Sequence, residues 1–117
     1  MSLKPSHKDL ILAKAVELGI SKVGFARATA VSPEAYERYA RWIERHCHGE
    51  MSYLEKYEDV RRDPRLLLDG AQTVIVCAFN YYPSQFQRAD VPQIASYALG
   101  RDYHEVVKEK LMQLAQF

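Results

Sequence analysis

Residues Thr73-Val74-Ile75-Val76-Cys77-Ala78-Phe79-Asn80 form a short run, rich in β-branched residues, that is apolar on both faces a strand would present. Strict alternation marks a strand with one wet face, so an unbroken run predicts a central strand covered on both sides of a sheet. Helices must supply that cover. The fold class that follows is α/β (α+β), a small sheet flanked by helices.

The rest of the chain offers those helices. Ser6 with Asp9 three places on is an N-cap signature, and Ile11, Ala15 and Leu18 then share one helical face until Gly19 closes the helix. Lys22 to Ala28 reads as a short strand, with Gly24 inside it hinting at a bulge or a close backbone approach. Ser32 and Pro33 restart a helix that carries Tyr36, Tyr39, Trp42 and Ile43 toward the core. It should end around His46-Cys47-His48-Gly49, with glycine as the left-handed cap. A helical turn over Met51 to Lys56 comes next. Val60 to Leu68 then reads as a basic loop passing through Asp63-Pro64 into one buried turn, ended by Asp69-Gly70.

Beyond the apolar run, Tyr81-Tyr82-Pro83 breaks the strand, residues 84–93 form a polar loop, and Ile94 to Leu99 reads as extended. Asp102 is the N-cap of the last helix, with Glu105 closing a capping box and Tyr103, Val107, Leu111 and Leu114 on one face. That pattern reaches Phe117 without a stop signal, which reads as a cut inside the helix.

At 117 residues, with no internal repeat and no linker, the chain is expected to be a single domain. Its formal net charge of +1 means that any polyanion contact must be a local patch. Met1 to Pro5 lacks the apolar core of a signal peptide, and no run approaches the roughly 18 apolar residues of a membrane span. The expected location is therefore cytoplasmic, with no membrane partner. Cys47 and Cys77 belong to no Cys-x-x-Cys pair, and Cys77 reads as a core thiol.

Four clusters could carry chemistry. His46-Cys47-His48 offers three metal-type ligands, but adjacent helical positions point about 100° apart, so helix-end polar groups explain it better than a metal. Arg61, Arg62 and Arg65 around Asp63-Pro64 would suit a phosphate of a cofactor or a nucleic acid, or equally be a solvated loop with local Arg–Asp pairs. Tyr81 and Tyr82 sit where open α/β sheets put ligands, and could equally roof the core. Tyr97-Ala98-Leu99-Gly100-Arg101-Asp102-Tyr103-His104 gathers a phenol, a glycine, a guanidinium, a carboxylate and an imidazole at a helix start, where capping alone needs only Asp102 and Glu105.

Taken in order, Val23-Gly24-Phe25-Ala26, Gly49-Glu50-Met51-Ser52-Tyr53-Leu54, Arg62-Asp63-Pro64-Arg65 with Leu67-Leu68, Asn80-Tyr81-Tyr82-Pro83 and Tyr97 to His104 resemble the amino-terminal domain of epoxyqueuosine reductases. The resemblance implies a fragment of a nitroreductase-like cobalamin domain. The whole protein would be a cytoplasmic cobalamin- and iron–sulfur-dependent oxidoreductase that reduces epoxyqueuosine to queuosine in tRNA. It further implies a downstream ferredoxin-like domain holding two [4Fe–4S] clusters, and a proton-donating acid in a Val-Asp-Thr-Gly motif, both outside these residues. This chain would then hold no catalytic residue or metal and be inactive alone. Tyr97, Gly100, Asp102, Tyr103 and His104 match the family motif and are the candidates for lining the cofactor or substrate cavity, while Ser96 stands where arginine is common. Two other classes share these features: a stand-alone small-molecule or protein-binding module, and a domain of another corrinoid iron–sulfur oxidoreductase.

Overall fold

The computed structural model describes residues 4–117, so the Met1 to Leu3 part of the segment read above as lacking a signal-peptide core lies outside the described residues. Its elements run α1 (His7–Glu17), β1 (Lys22–Arg27), α2 (Pro33–Glu44), a 3-10 turn (Ser52–Glu55), α3 (Glu58–Arg62), a 3-10 turn (Pro64–Leu66), β2 (Thr73–Ala78), a 3-10 turn (Ser96–Ala98) and α4 (Tyr103–Gln116). The result is α+β, a two-stranded sheet with helices, as the sequence predicts. Among the described residues no helix is long and apolar enough to cross a membrane.

The two strands pair antiparallel. Ser21 N–H donates to the Ala78 carbonyl at one end, and Ala28 N–H donates to the Gln72 carbonyl at the other. Between those bonds the β1 side is one residue longer than the β2 side, which is the count of a β-bulge in the stretch that holds Gly24. A close backbone approach at Gly24 is not seen, since a Cβ there would meet nothing within 4 Å. β2 is not the covered central strand that its apolar run predicts: its one partner is β1, and Ile75 and Val76 are 42% and 57% exposed.

The chain divides into two compact units, and both strands run from one to the other. Unit 1 comprises residues 1–24 and 76–117, and unit 2 is Phe25–Ile75. In unit 1, α1 packs on α4, with Ala15 and Ile20 buried. Ser6 caps α1 in a reciprocal box with Asp9. At the other end Gly19 takes the left-handed position (φ 76°), Gly19 N–H bonds to Val16 O at 3.0 Å and Ile20 N–H to Ala15 O at 2.9 Å. That double bond is a Schellman closure, and it joins the two buried residues.

Unit 2 closes α2 with the same motif but a different residue. His46 N–H bonds to Ile43 O, Cys47 N–H bonds to Trp42 O, and His46 itself holds φ 55°. The left-handed cap is thus His46, three residues before the expected Gly49. Tyr36, Tyr39 and Ile43 are half-buried, whereas Trp42 remains 37% exposed. Ala28 and His48 are the buried residues of this unit. His48 Nε2 pairs with the Glu55 carboxylate while Nδ1 has no hydrogen-bond partner.

Three local expectations are revised. Arg61 and Arg62 belong to helix α3 and not to a loop, and the turn after it is exposed, with Leu66, Leu67 and Leu68 each more than 60% accessible. Ile94 to Leu99 is not extended but contains the Ser96–Ala98 turn. Asp102 caps α4 through the His104 N–H, with no reciprocal bond from Glu105.

Candidate functional site

Unit 1 contains a cavity of about 350 Å³ between the end of β2, the Ser96–Ala98 turn and the first turns of α4. Asn80 stands at its rim with Tyr81, and the Asn80 side chain accepts from Tyr82 N–H at 3.0 Å, fixing the turn that follows the strand. Tyr97 and Tyr103 form an edge-on aromatic pair with centroids 5.7 Å apart, and Tyr81 meets Tyr97 edge-on at 6.4 Å. Such edge-to-face packing fixes the rings against one another. Arg101 and Lys110 add two cations to the lining. Arg101 pairs with Glu109 at 4.0 Å, and Lys110 Nζ lies where it would stand 3.2 Å from a Cβ at Gly19. The glycine that closes α1 therefore also leaves room for that ammonium.

The five residues expected at the site separate. Tyr97 and Tyr103 converge on the cavity. Gly100 precedes α4 at φ 84° with open space around it, and neither it nor Asp102 is part of the lining. Asp102 accepts from His104 N–H at 3.0 Å and lies 2.8 Å from His104 Nδ1, so the ring donates to a carboxylate that can only accept. The His104 hydrogen bonds, ring first and backbone second, hold the Asp102 carboxyl below the usual carboxylate range. His104 stacks on Tyr103 at 4.0 Å but faces a second, apolar groove along α4 with Leu111 and Met112.

Lys110 is the lining residue that the sequence pattern passed over. Its signal was there: seven residues after Tyr103, it falls on the same helical face and interrupts an apolar stripe. Tyr81 and Tyr82 do not roof the core, being 66% and 71% exposed.

All three guanidinium groups of the basic cluster have partners within the chain. Arg61 donates to the carbonyls of Lys56 and Tyr53, Arg62 lies 4.8 Å over the Tyr36 ring, and Arg65 forks onto Asp63. That fork lowers the Asp63 carboxyl and raises the Arg65 guanidinium. At His46 and His48 the rings are 6.1 Å apart, and among the described residues no three His, Cys, Asp or Glu side chains gather as a metal site. Cys47 and Cys77 are both free thiols.

Three comparisons bear on this arrangement. A family model described as epoxyqueuosine reductase QueG, DUF1730, matches residues 61–117. The chain is 44% identical over 117 residues to an epoxyqueuosine reductase of Cellulophaga algicola, covering all of this chain and 38% of that protein. It is 38% identical over 115 residues to one from Cyclobacterium marinum, covering 97% of this chain and 37% of that protein. The solved structure of epoxyqueuosine reductase from Streptococcus thermophilus superposes with a TM-score of 0.76 at 32% identity, over 94% of this chain and 30% of that one. The chain thus spans between 30% and 38% of these relatives.

Proposed function

The chain belongs to the epoxyqueuosine reductase family, and on that premise we propose that it walls one side of the reaction cavity in a cytoplasmic oxidoreductase converting epoxyqueuosine to queuosine in tRNA. The observation that carries this reading is the convergence of Tyr97, Arg101 and Tyr103 from one family motif with Lys110 on a single aromatic cavity. The cavity lies at the carboxyl end of β2.

Cobalamin fits this lining in kind. Its ring system has apolar faces and amide-bearing edges, and its nucleotide tail carries a phosphate; tyrosine faces, phenol hydroxyls, a guanidinium and an ammonium complement these. A cavity of about 350 Å³ accommodates one edge of such a group, so the rest would rest on parts of the enzyme beyond this chain. When bound, cobalamin would supply a low-valent metal through which two electrons reach the epoxide, whose oxygen, with two protons, balances as one water. The residues here bind and orient: Tyr97 and Tyr103 set the width of the cavity, Arg101 and Lys110 favour negative charge within it, and the Asp102–His104 pair fixes the start of the helix that carries Tyr103.

A [4Fe–4S] cluster takes four cysteine thiolates. This chain has two cysteines and cannot by itself supply four thiolates to a cluster. The family resemblance assigns the clusters and the proton-donating acid to parts outside these residues, and on that reading the chain alone is inactive. The test uses the protein expressed from its full coding sequence. Tyr97→Ala and Lys110→Ala should each lower retained cobalamin, read from its absorbance, and turnover of epoxyqueuosine-containing tRNA by 10-fold or more, with thermal stability kept. Wild-type retention and turnover in both variants would overturn the assignment.

A further inference from the structure

Unit 2 carries two groups of arginines, and their guanidinium groups differ in what they hold. Those of Arg61, Arg62 and Arg65 are engaged internally, by carbonyls, a ring and a carboxylate. On α2 and at its C-cap, Arg38, Arg41 and Arg45 instead line a groove of about 270 Å³ with Trp42 and Cys47. Arg41 has a carboxylate partner, Glu37, at 2.7 Å. Among the described residues neither Arg38 nor Arg45 has an ion-pair partner.

Their spacing shows what such a surface recognises. Positions 38, 41 and 45 form one stripe of the helix, and Arg38 lies about 10 Å along the axis from Arg45. Nucleic-acid phosphates recur about every 3.4 Å of axis per strand, so the stripe reaches several successive phosphates. Trp42 sits inside it, 37% exposed, with the buried His48 ring 5.6 Å away as a fixed support. An exposed indole beside unneutralised guanidinium groups is the combination that holds an RNA strand, the cations following the backbone and the ring taking an unstacked base or ribose. A net charge of +1 over the whole chain makes this a local patch rather than part of a general field.

We propose that the Arg38–Arg41–Arg45 face of α2, with Trp42, is a contact surface for the RNA backbone of the tRNA substrate. The proposal rests on the tRNA reading given above. A fluorescein-labelled tRNA, titrated into the protein expressed from its full coding sequence, separates the two. The variant Arg38→Glu/Arg45→Glu should bind it at least 10-fold more weakly at moderate salt, and the slope of log affinity against log salt should fall by about 2. The variant Arg38→Lys/Arg45→Lys should keep most of the affinity, and a control of equal charge change, Lys56→Glu/Arg88→Glu, should stay near wild type.

If wild type binds no RNA, the tRNA reading itself fails and takes the surface with it. If wild type binds and the glutamate variant matches it in affinity and slope, the surface is wrong and the reading stands. A control that loses as much as the glutamate variant would also overturn the proposal, as a general charge effect. Polyglutamate of equal charge, held as tightly and lost on the same substitutions, would overturn it in favour of an acidic protein partner.

Discussion

At the scale of single residues, the two Schellman closures form an internal comparison. Both place a residue in the left-handed region, Gly19 at φ 76° after α1 and His46 at φ 55° after α2. That conformation costs a residue with a Cβ roughly 1–2 kcal/mol relative to glycine. His46→Gly should therefore stabilise the protein by about 1 kcal/mol, seen as a higher denaturant midpoint. Gly19→Ala should do the reverse by about 1–2 kcal/mol, and its new methyl would press on Lys110 Nζ at 3.2 Å. Loss of anion affinity in the cavity without loss of Tyr97 or Tyr103 would mark that second effect. Gly19 was legible as a helix stop because glycine and the end of the apolar face coincide. His46 was not, since residue type favours Gly49, which also has positive φ but lies beyond the closure.

At the scale of elements, the helix starts are where the sequence spoke most clearly. Ser6 with Asp9, Ser32 with Pro33, and Asp102 are all seated as their local pattern predicts, because an N-cap is decided within four residues. Ser6→Ala should lower stability by about 1 kcal/mol in thermal melts. The caps also carry a pH dependence. Hydrogen bonds from the Ser6 hydroxyl and then its amide depress the Asp9 carboxyl, as those from His104 depress Asp102. A depressed carboxyl stabilises the fold fully above its unfolded value near pH 4, and the contribution fades as pH falls through the lower folded value. Helicity by circular dichroism should thus decline below about pH 4, and Asp9→Asn with Asp102→Asn should flatten that decline. The exposure of β2 and the turn at Ser96–Ala98 were not legible, because each depends on which distant segments pack alongside. An apolar run reports an appetite for cover and not who provides it.

At the scale of the whole molecule, the fold class was readable and the division into two units was not, since long-range packing decides it. Within those units, large apolar side chains stay accessible, Leu66, Leu67 and Leu68 in unit 2 and Tyr82 and Phe86 in unit 1 among them. A 117-residue preparation should accordingly bind a hydrophobic dye in its native state, and Leu67→Lys/Leu68→Lys should cut the signal markedly without lowering the melting temperature. An unchanged signal would place the dye elsewhere. In chain order unit 2 is one continuous stretch that interrupts unit 1, and α1 packs on α4. Translation delivers these pieces in order. With synthesis at roughly 5–20 residues per second, α1 is synthesised some 4–20 s before α4. Unit 2 is complete in the meantime, so the early helix is a natural client for a ribosome-bound chaperone.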